Sequence, residues 1–153
     1  MNVLASAQPR SDRAALEWAL RALGALSLLA VGAVHLQQYF TLYSSIPTIG
    51  ALFVLNFVGA TAIGLGLLAP AGRLSDRLDR VLTPLLALGG IGLAATAFVF
   101  LLISERTPLF GFMEPGYDQP AIFASRVAEA ATVLLLGGLL VARLAGRSAR
   151  RPD

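Results

Sequence analysis

The stretch VLTPLLALGGIGLAATAFVFLLI, residues 81–103, decides the fold class, because it is an unbroken apolar run without a charged side chain. A helix needs about 20 apolar residues to cross the hydrocarbon core of a bilayer. Three more predominantly apolar runs of sufficient length occupy residues 22–42, 49–71 and 121–142, the last of which contains Arg126 and Glu129. The sequence therefore predicts an all-α membrane protein, a four-transmembrane-helix bundle in which residues 1–153 form a single integral membrane domain.

The composition supports this class and excludes several others. The chain is 56% hydrophobic and 14% charged, with a mean hydropathy of +0.72, which is too apolar for an ordinary soluble domain. It has no cysteine, so disulfides, thiolate catalysis, iron–sulfur clusters and cysteine-ligated zinc are excluded. The net charge of +3 does not indicate a nucleic-acid partner, because the basic residues are scattered singly beside apolar runs.

The basic residues, all of them arginine, indicate the orientation of the helices, since cytoplasmic loops carry the excess of positive charge. Only Arg106 and Arg126 fall on the side of the 43–48 and 104–120 loops. The others flank the opposite helix ends: Arg10, Arg13, Arg21, Arg73, Arg77, Arg80, Arg143, Arg147, Arg150 and Arg151. We therefore expect a multi-pass protein of the cytoplasmic membrane of a bacterium, with the N-terminus and C-terminus inside and both loops outside.

An internal repeat is also indicated. Residues 47–56, PTIGALFVLN, align with residues 120–129, PAIFASRVAE, and Asn56 then superposes on Glu129. Such a repeat predicts two tandem helical hairpins with a site between the halves. Matches of this kind also arise by chance in a chain so rich in alanine and leucine.

Polar side chains within the first two apolar runs give the first indication of function. His35, Gln38 and Tyr39 are spaced to share one helical stripe near the outer end of helix one. At 1.5 Å of rise per residue, Asn56 lies at a similar depth in helix two. Lipid cannot solvate such groups, so we expect them to face the interior of the bundle.

Helix four adds charged residues to the same layer. Ser125, Glu129 and Thr132 form a stripe, and Arg126 is close enough in sequence to pair with Glu129. An ionisable group inside a membrane costs at least ~2.5 kcal/mol and is by default a functional hypothesis. The alternative is structural, with Arg126 and Glu129 neutralising each other. The predicted ligand-binding residues are His35, Gln38, Tyr39, Asn56, Arg126 and Glu129.

The longer outer loop contains PLFGFMEPGYDQP, residues 108–120. Its glycines and prolines favour a folded lid over a loose tether, with Glu114, Tyr117 and Asp118 as its candidate contacts. Its aromatic residues also fit an interfacial belt. One histidine with carboxylates is an incomplete metal site, and haem would need Met113 or a second subunit as axial partner. The sequence therefore predicts no metal site and identifies no cofactor.

Motifs of enzymes are missing from the sequence. It has no G-x-S-x-G, phosphate-binding loop, H-E-x-x-H or dinucleotide fingerprint. The glycine-rich GGIGLA at residues 89–94 lies within an apolar span and is better explained by close helix packing. Catalysis would have to rest on His35 and Glu129 alone, so the sequence favours a non-enzymatic role.

The chain has four short spans, both termini inside, a polar residue in the outer half of helix one, and a second helix that reads LFVLNFVGATAIGLGLL (52–68). In these four respects it resembles the DoxX-like group of small bacterial membrane proteins. The resemblance implies a relation to quinone-linked oxidoreductase subunits and to members without known activity. This chain lacks the cysteine that some redox-linked proteins of this kind carry. The stretch IPTIGALFVLNFVGA (46–60) also resembles the signature of an uncharacterised actinobacterial membrane family.

Three functions follow as alternatives. The first is a small accessory or binding protein, whose outward-facing pocket holds a lipid-like or polar ligand or docks a larger membrane complex. The second is a proton- or cation-coupled transporter or channel, which would have to be an oligomer because the polar layer does not continue to the inner side. The third is a quinone-linked oxidoreductase subunit. The expected partners are the lipid bilayer and either a second copy of the chain or a larger membrane complex.

Overall fold

A computed structural model of the chain describes residues 8–69 and 75–148. The described residues form four helices: α1 (Gln8–Gln38), continued by a π-helical segment (Tyr39–Tyr43), then α2 (Pro47–Leu68), α3 (Asp76–Ser104) and α4 (Gln119–Ser148). All four are long and apolar enough to cross a membrane. The predicted all-α four-helix membrane fold is confirmed. Of the arginines used for orientation, Arg73, Arg150 and Arg151 and the side chains of Arg10 and Arg147 lie outside this description.

The helices form a ring in which α1 packs most extensively, against α2 on one side and α4 on the other. α3 closes the ring against α4 and, less extensively, against α2. Small residues allow the close approaches: a Cβ on Gly64 would lie 2.8 Å from Leu29, and one on Gly90 would lie 2.8 Å from Leu136. The resulting up-and-down order is compatible with two tandem hairpins, but the repeat itself stays a prediction.

Several helix boundaries differ from the predicted ones: α1 begins at Gln8 rather than at residue 22, and α4 ends at Ser148 rather than at residue 142. α2 ends at Leu68 rather than at residue 71, because Ala69 is extended, as expected for a residue that precedes a proline, here Pro70. α3 begins at Asp76 rather than at residue 81, because the Ser75 hydroxyl accepts a hydrogen bond from the Arg77 N–H at 3.2 Å and caps the helix. The charged residues 76–80, which were predicted to lie before the helix, therefore form its first turns.

An ion-pair network joins three helices at the end of the bundle opposite the 105–118 loop, called here the arginine end. Both oxygens of Asp79 on α3 are engaged: Oδ1 by Arg21 of α1 at 2.8 Å, and Oδ2 by Arg143 of α4 at 2.7 Å. Thr83 donates to the same carboxylate at 2.9 Å, and Glu17 lies 3.7 Å from Arg143. No local pattern in the sequence indicates this network, which ties the first turns of α3 to α1 and α4.

Next to this network, the half of the bundle at the arginine end, called here the arginine half, contains a hydrophobic core. Its fully buried members come from all four helices: Ala25, Leu67, Ala87, Leu136 and Leu139. Arg21 donates hydrogen bonds to main-chain oxygens of Leu67 and Ala69, which satisfies carbonyl groups left free at the end of α2. This half of the bundle therefore holds the helices together, and it leaves the other half free for a cavity.

The contact between α2 and the π-helical segment yields a stability prediction. A Cβ on Gly50 would lie 2.8 Å from the main-chain oxygen of Tyr43, and backbone cannot move aside cheaply. We expect Gly50→Ala to lower the free energy of unfolding by about 1–3 kcal/mol, measured by thermal or SDS-induced unfolding in detergent. The matched control is Gly137→Ala on α4, whose Cβ would meet nothing within 4 Å; it should instead stabilise by about 0.5–1 kcal/mol. Equal effects of the two substitutions would contradict this packing.

Candidate ligand-binding pocket

A cavity of about 450 Å³ occupies the half of the bundle nearest the 105–118 loop. All four helices contribute to its wall, and the loop lies over its end. Most of the wall is apolar. The predicted site residues that line it are His35, Gln38, Asn56, Glu114 and Glu129. His35, Gln38, Asn56 and Glu129 of three helices thus face inward, as expected from the sequence, and line one cavity.

Glu129 is the most deeply buried charged residue in the pocket wall, with 1% of its surface exposed. Its Oε1 accepts a hydrogen bond from the Ser125 hydroxyl at 2.9 Å. Its Oε2 is buried and has no partner among the described residues. A buried polar atom without a partner costs about 1–3 kcal/mol, so one oxygen of this carboxyl group is held in an unfavourable state.

Asn56 of α2 presents a second atom of the same kind. The residue is 7% exposed, and its Oδ1 is buried without a hydrogen-bond partner in the described part of the chain. Native proteins leave few buried polar groups unpaired. Two unpaired oxygens, on different helices around one cavity, therefore indicate a place where a ligand supplies hydrogen-bond donors.

His35 lines the pocket from α1 with its ring orientation fixed. Its Nδ1 lies 2.9 Å from the main-chain oxygen of Val31. Because a carbonyl oxygen can only accept, Nδ1 carries the proton, and Nε2 of the neutral ring is left as an acceptor. The imidazole packs against Phe53, with ring centroids 5.0 Å apart, and Phe53 in turn packs against Tyr43 at 4.6 Å.

The π-helical segment changes which aromatic residue of helix one faces the pocket. The expectation that Tyr39 shares the stripe of His35 and Gln38 is wrong: Tyr39 borders a separate groove beside Gly50. A π-helical turn places residues five apart on one face, so Tyr43 follows Gln38 on the pocket side. The sequence contains no feature by which this widened turn could have been recognised.

The 105–118 loop is folded and tied to α1, as predicted for a lid. The Tyr43 hydroxyl donates to Glu114 Oε2, and the Gly116 N–H donates to Glu114 Oε1 at 2.8 Å. Gln38 donates to Asp118 Oδ2 at 2.8 Å. Of the three residues proposed for the lid, Glu114 lines the pocket, whereas Asp118 and Tyr117 do not, and Tyr117 is 78% exposed.

Asp118 has a second role, because it caps α4. Its Oδ1 accepts a hydrogen bond from the Ala121 N–H at 3.1 Å, the geometry of a helix N-cap. One carboxylate therefore fixes the start of α4 and holds Gln38 of α1. A tight turn at residues 109–112, with Phe110 at a φ of 52°, directs Leu109 and Phe112 onto the end of the cavity.

Arg126 does not take the position expected for it. Instead of pairing with Glu129, it forms an ion pair with Glu105 at the start of the loop. Its side chain is 37% exposed and does not line the cavity. The two residues are three apart, but the Glu129 side chain turns into the bundle while the long Arg126 side chain follows the surface. The direct ion pair expected between Arg126 and Glu129 is therefore not formed.

Sequence reasoning missed two hydroxyl groups on α3, those of Thr96 and Ser104, which both line the pocket. The Ser104 hydroxyl donates to the main-chain oxygen of Leu101 at 2.9 Å. Serine and threonine can satisfy themselves within their own helix in this way, so their presence in an apolar span is a weak signal. Across the described residues, no group of three histidine, aspartate or glutamate side chains is placed to hold a metal ion.

Comparisons of this chain with protein-family models, with curated proteins and with solved structures find no match.

Proposed function

We propose that this chain is a small integral membrane binding protein of a bacterial inner membrane, and that its pocket holds an amphiphilic small molecule. The observation that carries the proposal is the pair of buried, unpartnered oxygens, Glu129 Oε2 and Asn56 Oδ1, beside a largely apolar cavity of about 450 Å³. A pocket of this kind takes an apolar body and fixes its orientation with a few polar contacts.

The unpaired atoms define the polar end of the ligand. A carboxylate oxygen and an amide oxygen both accept hydrogen bonds, so the ligand must donate them. Hydroxyl and ammonium groups meet this requirement, whereas a ligand carboxylate would face Glu129 with like charge. We therefore infer a ligand with an apolar chain or ring and a donating head group.

The proposed orientation places the pocket in the outer half of the membrane. Arg21, Arg77, Arg80 and Arg143 all belong to the arginine end of the bundle, and positive charge marks the cytoplasmic side. Both termini are then cytoplasmic, and the 105–118 loop is external. Docking to a larger membrane complex remains part of this proposal, with the loop as the part nearest to an external partner.

The transporter and quinone alternatives make different demands. A conduction path would have to cross the arginine half, where Ala25, Ala87 and Leu136 are completely buried in an apolar core. Flux of protons or cations in liposomes, abolished by Glu129→Gln, would replace the binding proposal. Quinone isolated with the protein would favour the oxidoreductase alternative, although the two unpaired acceptors suit the hydroxyls of a quinol better than the carbonyls of a quinone.

A matched pair of probes tests the proposal. We expect the full chain, reconstituted in vesicles that contain hexadecanol or hexadecane, to retain the alcohol selectively when native mass spectrometry measures the bound mass. Loss of a hydrogen bond to a charged group costs about 1.5–3 kcal/mol, so Glu129→Ala should lower alcohol occupancy at least about tenfold. Asn56→Ala should lower it less, because its amide is neutral.

The control for this experiment is Glu105→Gln. Glu105 lies at the same end of the bundle but pairs with Arg126 and does not line the cavity, so alcohol occupancy should stay unchanged. Retention of alcohol and alkane to the same extent by the parent chain, or no loss in Glu129→Ala, would contradict the proposed function.

A further inference from the structure

We propose that the pocket is filled sideways from the hydrocarbon layer, through an opening between α2 and α3, and that its ligand is therefore a lipid-phase alcohol or amine. The route rests on the binding function proposed above. It adds the direction of access and the physical state of the ligand, neither of which follows from the polar groups alone.

The exposed part of the pocket wall lies on only two helices. The lining residues of α4, among them Ser125 and Glu129, are buried, as are His35 and Gln38 of α1. On α2 and α3 some lining residues are exposed instead: Leu55 of α2 is 64% exposed. Gly89, Gly92 and Thr96 of α3 are also exposed pocket-lining residues. The cavity is therefore closed on the α1 and α4 side and open between α2 and α3.

Contacts between α2 and α3 reach from the arginine end to the inner part of the cavity, where Ile63, Gly89 and Leu93 line its wall. Near the arginine end, a Cβ on Gly66 would lie 3.1 Å from Leu86. Further along, a Cβ on Gly59 would lie 3.4 Å from Leu93, and a Cβ on Gly89 would lie 3.4 Å from Ile63. One turn beyond this level, Leu55 and Thr96 line the cavity instead. Of the neighbouring helix pairs, α2 and α3 pack least extensively.

The wall of α3 is thin at this opening. Gly89, Gly92 and Thr96 are spaced three and four residues apart, so they share one face of the helix. A Cβ on Gly92 would meet no atom within 4 Å. The absence of side chains on two of three positions leaves room for an apolar chain to pass between the helices.

The loop end of the pocket is covered. Leu109, Phe112 and Glu114 lie across it, and the hydrogen bond from Tyr43 to Glu114 fixes the loop in place. The opening between α2 and α3 lies within the spans that are apolar enough to cross a membrane, and its rim residue Leu55 is apolar. A ligand dissolved in the bilayer reaches this opening directly, whereas a polar solute in water does not.

Photolabelling tests the route. The full chain is reconstituted in phosphatidylethanolamine–phosphatidylglycerol vesicles that contain a hexadecanol bearing a photoactivatable diazirine on its chain. We expect labels on α2 and α3 around Leu55 and Gly92, and competition by unlabelled hexadecanol. Gly92→Trp places an indole at the opening, on a Cβ that would meet no atom within 4 Å, and should lower early labelling of pocket residues about tenfold. Gly137→Trp adds the same bulk in open space on α4 and should leave labelling unchanged.

The outcomes separate the route from the binding function. One outcome is equally fast labelling of Gly92→Trp and Gly137→Trp while Glu129→Ala still shows reduced alcohol occupancy. That result would contradict the lateral route and would leave the proposed binding function in place. Labels concentrated on residues 105–118 would likewise overturn the lateral route, in favour of access under the loop. If the parent chain shows no labelling that hexadecanol competes away, the binding function itself fails.

Discussion

Asp79→Asn is expected to lower the free energy of unfolding by about 3 kcal/mol, among the largest effects of any single substitution in this bundle. The change leaves Arg21 and Arg143 facing each other without the carboxylate that both contact at 2.7–2.8 Å. Removing the shared carboxylate of this partly buried network is destabilising, because the two guanidinium groups, each 16% exposed, stay largely desolvated. Unfolding by heat or SDS in detergent micelles measures the loss.

The control for this prediction lies on the same helix. Asp76 is exposed in the first turn of α3, so Asp76→Asn removes the same charge and the same favourable interaction with the helix N-terminus, worth about 0.3–1 kcal/mol. A comparable loss in both variants would mean that the helix terminus, and not the three-helix network, makes Asp79 important.

Two glutamates in the pocket wall should respond to the same substitution with opposite signs. Glu129→Met is expected to raise the free energy of unfolding by about 1–3 kcal/mol, because it removes a buried oxygen that has no partner. The Ser125 hydroxyl, which donates to the other oxygen of Glu129, can donate instead to a main-chain oxygen of its own helix. Glu114→Met is expected to lower it by a similar amount. Both oxygens of Glu114 accept hydrogen bonds, from Tyr43 and Gly116, and these donors would lose their acceptor.

The opposite signs also connect stability with function. Residues kept for binding often reduce stability, so Glu129→Met should produce a more stable protein that no longer retains hexadecanol. Parallel unfolding curves and alcohol occupancy of the two variants provide the measurement. Destabilisation by Glu129→Met would mean that Glu129 stabilises the fold and would remove the main support for a ligand.

The sequence was sufficient to predict the four membrane spans. It was also sufficient to predict that the polar groups with the largest cost of exposure to lipid face the interior of the bundle. Residues such as Asn56 and Glu129 cannot face lipid without a large penalty, so their burial followed from depth and residue type alone. The same reasoning placed Glu114 correctly in a folded loop, because the glycines and prolines around it favour turns.

The hydrogen-bond and ion-pair partners of these side chains, and the rotation of helix one near its end, could not be predicted from the sequence. Arg126 was expected to pair with its neighbour along the helix, but a long side chain reaches several carboxylates, and the fold brings Glu105 into its range. Tyr43 replaced Tyr39 because one π-helical turn rotates the face of the helix. The ion pairs of Asp79 join residues that are distant in sequence, and no local pattern reports such contacts.

A structure of the full chain determined in a lipid bilayer tests the central claim most directly. We predict non-protein density in the cavity, with its polar end within hydrogen-bond distance, about 3 Å, of Glu129 Oε2 and Asn56 Oδ1, and with its apolar part extending toward Leu55 and Gly92. Side chains that fill the cavity, or protein donors that pair with both oxygens, would contradict the claim and leave a compact membrane scaffold.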